Sequence, residues 1–293
     1  MDIIVPMAGF GQRFADKGYT TPKPLIVVDG KTMIEHVIGL FSPQDRFTFV
    51  CNTCDLERTA LESVLRRAAP QGTIIPIMTE RKGPVHGIIA AKTHLPPLRG
   101  SVIVSYCDFS MDWDYDDFKR FTNKCYDGAI ITYTGFHPHH LGSTYYGYVR
   151  TDPHGRFIEI REKEPFTDNP MQEHTSAGAY YFRKGGIMLR YFDELIKRDM
   201  HKNGEFYCSL PYNLMERDGL ETYIYDVPHF LQWGTPEDLE EYNAWSSFFV
   251  RKNGGFPMLE DALATFSPHF PQRTSAQLAD TYDYWHGHFK TRR

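Results

Sequence analysis

Apolar and polar positions along the chain follow two different periods. Short β-branched runs at 3–6, 47–51, 73–78, 101–107 and 129–134 predict strands, and amphipathic stretches at 33–41, 57–69, 87–94 and 115–126 predict helices between them. Apolar strands separated by helices of this length imply an α/β fold. The expected form is a Rossmann-like, mainly parallel sheet with helices on both faces. The second half differs: strands are expected at 145–151, 157–161 and 177–182, helices at 187–200 and 207–217, and a strand at 222–227. Thr235-Pro236-Glu237-Asp238 reads as a helix start, with a capping hydroxyl, proline at the first helical position and an acid at the third. From about Ala244 the chain turns aromatic (Trp245, Phe248, Phe249, Trp285), too much so for a disordered tail.

Composition narrows the function classes. The net charge of −5 speaks against sequence-independent binding to nucleic acid or an anionic membrane. No apolar run reaches the length of about 18 residues that a membrane span needs. The N-terminus lacks a basic lead and long apolar stretch, so no secretory signal is expected. Five cysteines, an odd number in a long chain, suit a reducing compartment, and a cytoplasmic location is expected.

The most informative stretch is MAGFGQRFADKGYTTPKPLI, residues 7–26, directly after the first apolar run. Gly30-Lys31-Thr32 has the tail of a P-loop, but Leu25 stands where the upstream glycine is required. Gly9-Phe10-Gly11 opens like a dinucleotide fingerprint, yet Phe14 occupies the third glycine position and removes the close helix–strand packing. A third arrangement uses every feature. Glycines let backbone N–H groups curl around a triphosphate, and Arg13 and Lys23 neutralise charge as pyrophosphate departs. Pro22 and Pro24 are expected to hold Lys23 extended between them.

Gly-x-Gly-x-Arg followed about ten residues later by Pro-Lys-Pro resembles the signature of the sugar nucleotidylyltransferases, also called nucleoside-diphosphate-sugar pyrophosphorylases. The resemblance runs from residue 2 to about residue 243. It implies the nucleotide-diphospho-sugar transferase fold over 1–243, with an NTP-binding half at 1–135 and an acceptor-binding half at 136–243. A C-terminal extension, 244–293, would serve packing, oligomerisation or regulation, which leaves a homo-oligomer open.

The activity so implied moves a nucleoside monophosphate from an NTP to a sugar 1-phosphate, releasing pyrophosphate, for surface polysaccharide synthesis. Met7, Ala8, Gly9, Gly11, Arg13, Lys23, Gly83 and Gly87 would bind the nucleotide, with Arg13, Lys23 and Asp108 catalytic and Asp108 holding Mg²⁺. Asp108 would follow the strand at 101–107, at the carboxyl edge of the sheet where a metal bridging two phosphates is held. Gly147, Glu162, Lys163, Ser176 and Gly178 would form the acceptor site. Gly83-Pro84-Val85-His86-Gly87 falls at the family's base-binding turn, where close approach to the base needs residues without bulk, and leaves the base open. Trp233-Gly234-Thr235-Pro236 matches the closing motif, but Gln232 stands where the family has a second metal-binding Asp. Asp226 and Asp238 are the nearby substitutes, the latter weakened by its capping role. Transfer to a non-sugar phosphate such as phosphocholine, favoured by cation–π contacts with the tyrosines, and a catalytically silent homologue are the alternatives.

Other clusters carry less. Cys51-Asn52-Thr53-Cys54 lacks a second pair at zinc spacing, and His137-Pro138-His139-His140 reads as a polar loop. Asp112, Asp114, Asp116 and Asp117 are expected to cap and solvate the next helix.

Overall fold

The first strand, β1 (Asp2–Met7), is buried on both faces. Ile3, Val5 and Met7 enter one apolar cluster and Ile4 the other, as the two-residue period of a strand requires. The computed structural model describes residues 1–252 except 10, 79, 81, 125 and 136–145, and the backbone alone for 248–252. The histidine cluster at 137–140, Tyr145 and residues 253–293 lie outside the described residues.

After β1 come α1 (Gln12–Asp16), β2 (Val27–Val28), β3 (Lys31–Thr32), α2 (Met33–Ile38) and β4 (Arg46–Asn52). They are followed by α3 (Thr53–Arg58), α4 (Leu61–Ala68), β5 (Thr73–Ile77), α5 (Pro84–Ala90) and β6 (Val102–Ser105). Next are β7 (Phe109–Asp112), α6 (Tyr115–Thr122), β8 (Gly128–Tyr133), β9 (Gly147–Thr151), β10 (Phe157–Glu162) and β11 (His174–Phe182). The described chain closes with α7 (Gly185–Lys197), α8 (Pro211–Arg217), β12 (Thr222–Asp226), β13 (His229–Gln232) and α9 (Pro236–Lys252). None of the described helices is long and apolar enough to cross a membrane.

The main sheet has nine strands in the order β10-β9-β11-β6-β1-β4-β5, with β8 and then β12 added on the far side of β11. Only β10 and β11 run against the other strands, so the sheet is mainly parallel as expected. One face packs α2, α4 and α6 through Ile34, Val37, Leu61, Leu65 and Phe118. The other packs α5, α7 and α8 through Val85, Ile88, Met188, Phe192, Tyr212 and Met215. Helices on both faces are thus a consequence of strands apolar on both faces.

Several elements differ from the sequence reading. The helix expected at 57–69 is two helices. Asn52 Oδ1 accepts from Cys54 N–H at 2.9 Å and starts α3 early. Thr59 Oγ then donates to Asp55 O at 2.6 Å and accepts from Leu61 N–H at 3.2 Å, breaking the run. The same start separates the two cysteines, with Cys51 buried in β4 and Cys54 exposed on α3. The β2–β3 hairpin is carried by Asp29 and Gly30, both at positive φ (46° and 81°), a two-residue turn that Asp-Gly favours. Strands β7 and β13 form a separate antiparallel pair. Among the acids after β7, Asp114 caps α6 by accepting from Asp117 N–H at 2.8 Å, as expected. Helix α9 runs through position 243, with Ala244 buried.

Candidate active site

Beyond Met7 the chain leaves the sheet into Ala8 and Gly9, and Gly11 turns it at φ 57° into the short helix α1 that carries Arg13. Phe14, on the next position, is buried with Ile26, Val28, Met33, Trp233 and Leu239, which anchors the loop. Lys23 is not extended. It opens a 3₁₀ turn, Lys23–Leu25, with Pro22 in the extended region before it and Pro24 within its first turn. Leu25 N–H donates to Pro22 O at 2.8 Å, and proline lacks an N–H that this first turn does not need. The turn aims the Lys23 ammonium at Asp108 Oδ2 and at Gly234 O, the latter at 2.8 Å.

Asp108 sits in the bend between β6 and β7, at the carboxyl edge of the parallel strands, and its carbonyl accepts from Trp233 N–H at 3.0 Å. Gln232, at the end of β13, is paired with Phe109 and is more than nine-tenths buried. Its Nε2 donates to Asp238 Oδ1 at 3.0 Å, while its Oε1 is buried with no hydrogen-bond partner. Asp238 Oδ2 accepts from Tyr146 OH at 3.0 Å, and burial raises the pKa of this carboxyl. Asp226 is bound by Thr132 at 2.6 Å and His174 at 2.9 Å. Neither Asp226 nor Asp238 lines the cleft. No group of three His, Cys, Asp or Glu side chains suited to a metal occurs among the described residues. What the site does offer a hard cation is the Asp108 carboxylate and the orphaned Gln232 oxygen, a donor set that fits Mg²⁺ held largely by nucleotide phosphates and water.

On the acceptor side, Gly147 makes room for Glu162. A Cβ at 147 would lie 2.9 Å from Glu162 Oε1. Glu162 is buried, accepts a hydrogen bond from Ser209 Oγ, and burial pushes its pKa up to about 7. Lys163, at φ 59°, has its ammonium 3.9 Å from Glu205 Oε2 and 5.0 Å from the Tyr207 ring centroid. Its pKa is lowered, first by burial and also by the Arg13 charge across the cleft. Ser176 donates to Tyr180 OH at 2.8 Å and accepts from Gly178 N–H at 3.3 Å, where β11 changes register.

Met7, Ala8, Gly9, Gly11, Arg13, Lys23, Gly83, Gly87, Asp108, Gly147, Glu162, Lys163, Ser176 and Gly178 all line one open cleft of about 410 Å³. The sequence reading missed Tyr106, Glu205 and Tyr207, which also line it. Tyr106 OH accepts from Cys208 N–H at 3.2 Å. Glu205 and Tyr207 come from the α7–α8 connection, and no motif marks them. Phe206 brings them in, its N–H donating to Lys82 O at 2.8 Å and its carbonyl accepting from Val85 N–H at 3.1 Å. This contact also explains Gly83: a Cβ there would lie 2.7 Å from Phe206 N. Its lack of bulk accommodates protein backbone on this side, while the turn itself lines the cleft.

Residues 3–149 match the MobA-like NTP transferase domain. The bifunctional protein GlmU of Azorhizobium caulinodans is 25% identical over 220 residues, 74% of this chain and 46% of that protein, so the chain spans about half the length of this relative. A nucleoside-diphosphate-sugar pyrophosphorylase from Vibrio cholerae RC9 shares the fold at a TM-score of 0.66 and 22% identity, covering 82% of this chain and 98% of that one. The inositol-1-phosphate CTP transferase from T. maritima does so at 0.60 and 14%, covering 87% and 97%. With half the chain matched and its cationic loop at the carboxyl edge of the sheet, this protein belongs to the family of MobA-like NTP transferase domains.

Proposed function

We propose that the cleft transfers a nucleoside monophosphate from an NTP to a sugar 1-phosphate, yielding an NDP-sugar and pyrophosphate. The observation that carries this reading is the convergence of three cations, Arg13, Lys23 and Lys163, with the carboxylates Asp108 and Glu162 on one cleft. An acceptor phosphate oxygen attacks the α-phosphorus, and the bond from that phosphorus to the bridging oxygen of the β-phosphate breaks. The phosphate is already ionised near neutral pH, so no general base is required. Positioning and charge neutralisation supply the catalysis. Arg13 and Lys23 take the triphosphate and stabilise departing pyrophosphate, Lys163 takes the acceptor phosphate, and Glu162 accepts from sugar hydroxyls. Asp108 and Gln232 would hold Mg²⁺, which supplies charge neutralisation at the phosphates when bound. The product would serve as an activated sugar for polysaccharide synthesis.

A non-sugar phosphate is the second reading. The acceptor side is walled by Tyr106, Tyr180 and Tyr207 beside Glu205, which suits a cationic acceptor such as phosphocholine. Pyrophosphate release is to be measured with each of four NTPs and a panel of sugar and non-sugar phosphates, with Mg²⁺ and with chelator. Release with one NTP and a sugar 1-phosphate, abolished by chelator, is expected. Release only with an amine-bearing phosphate would establish the second reading, and none with any pair would point to a silent homologue.

A further inference from the structure

Gln232 poses a problem that its neighbours resolve. A buried amide oxygen without a partner carries an unmet desolvation cost. The amide cannot relieve it by flipping, because Oε1 would then face the Asp238 carboxylate, acceptor against acceptor. Nor can Asp238 reach into the cleft itself. Its Oδ1 is held by Gln232 and its Oδ2 by Tyr146. Two residues beyond Gln232, the Gly234 carbonyl and Asp108 both accept from the Lys23 ammonium, so oxygen acceptors already gather at this end of the cleft.

We propose that Asp238 is a positioning residue. By accepting from Gln232 Nε2 it fixes the amide so that Oε1 is the atom left to take a divalent cation bound with the nucleotide. The second carboxylate of the site is thereby moved back behind a neutral oxygen ligand. This rests on the nucleotidyl-transfer reading.

The test titrates Mn²⁺ into the full-length protein carrying the non-hydrolysable analogue of its preferred NTP, with free Mn²⁺ read by electron paramagnetic resonance. Asp238→Asn frees the amide to flip and is expected to weaken Mn²⁺ binding roughly tenfold or more, in line with the loss of an orienting partner. Gln232→Met, similar in shape but without the oxygen, is expected to do the same, and it decides the matter if Asp238→Asn does not fold. Adding Gln232→Asp to Asp238→Asn should restore binding, because a carboxylate is an acceptor in either orientation. Affinity for the metal-free nucleotide should be unchanged throughout.

Wild-type Mn²⁺ affinity in Asp238→Asn and Gln232→Met would overturn the proposal while leaving pyrophosphate release intact. So would an equal loss of metal-free nucleotide affinity, which marks a merely structural role. A wild-type protein that binds no nucleotide would overturn both this and the functional reading.

Discussion

Lys23 shows how much one side chain is asked to do. Its ammonium joins the loop after β1 to Asp108 and to the Gly234 carbonyl, residues far apart in sequence. An oriented cation facing developing charge contributes a few kcal/mol to a transition state, so Lys23→Ala should lower turnover by about 10²-fold or more. Steady-state pyrophosphate release beside a thermal melt checks this; near-wild-type turnover in a folded variant would remove the central assignment. Glu162 makes the second residue-scale prediction. Burial holds its pKa near 7 against hydrogen bonding from Ser209 and the Lys163 charge, while the Glu205 charge adds to the rise. A carboxyl raised in the folded state favours folding below its unfolded value of 4.5, and that contribution is lost as the pH rises through about 7. Chemical denaturation between pH 5 and 8 should therefore show a shallower pH dependence in Glu162→Gln. The ionised form is the better acceptor for sugar hydroxyls, so the wild-type acceptor KM should fall as pH rises through about 7 and Glu162→Gln should lose that component.

Among elements, the β9–β10 pair places the acceptor carboxylate. Gly147 and Glu162 are register partners, and the missing Cβ at 147 is the space the carboxylate occupies. Gly147→Ala forces the pair apart, an overpacking cost of about 1–3 kcal/mol. Its expected result is an acceptor KM raised about tenfold with NTP affinity unchanged, read by initial rates and by nucleotide titration. Equal loss on both substrates would mean a general disturbance of the sheet. The α7–α8 connection acts in the same way at longer range. Phe206 ties it to the Gly83 turn by two backbone hydrogen bonds, and this carries Glu205 and Tyr207 to the acceptor side.

For the molecule as a whole, α9 is the element to cut. It crosses position 243, buries Ala244, and reaches the β2–β3 hairpin where Tyr242 OH and Ser246 Oγ donate to Asp29 at 2.7 and 2.6 Å. Removing residues 244–293 should lower the melting temperature by a few degrees relative to removing only 253–293, since losing a kcal/mol or two shifts a domain of this size by about that much. Equal melting temperatures would show that the second half of α9 contributes nothing to stability.

The sequence by itself determined the layered α/β fold, because strands apolar on both faces need helices on both sides. It also marked Arg13, Lys23 and the glycines of the loop after β1 by their own chemistry, and Asp108 and the Glu162-Lys163 pair through a family resemblance, and all of these line the cleft. Local chemistry was readable too where it was complete in a few residues, as in Thr235 capping α9. The Asp-Gly turn at 29–30 is equally local, because its two residues alone supply the positive φ values that the hairpin needs. Tertiary structure alone decided the rest. Lys23 takes its direction from a 3₁₀ turn against Gly234, and Gly83 is small because Phe206 passes over it. Glu205 reaches the cleft from a connection without a motif, and the Gln232 oxygen is left unpartnered by Asp238 and Tyr146. Each of these depends on backbone or side chains brought together from distant positions, and no local pattern of residue types encodes such a meeting.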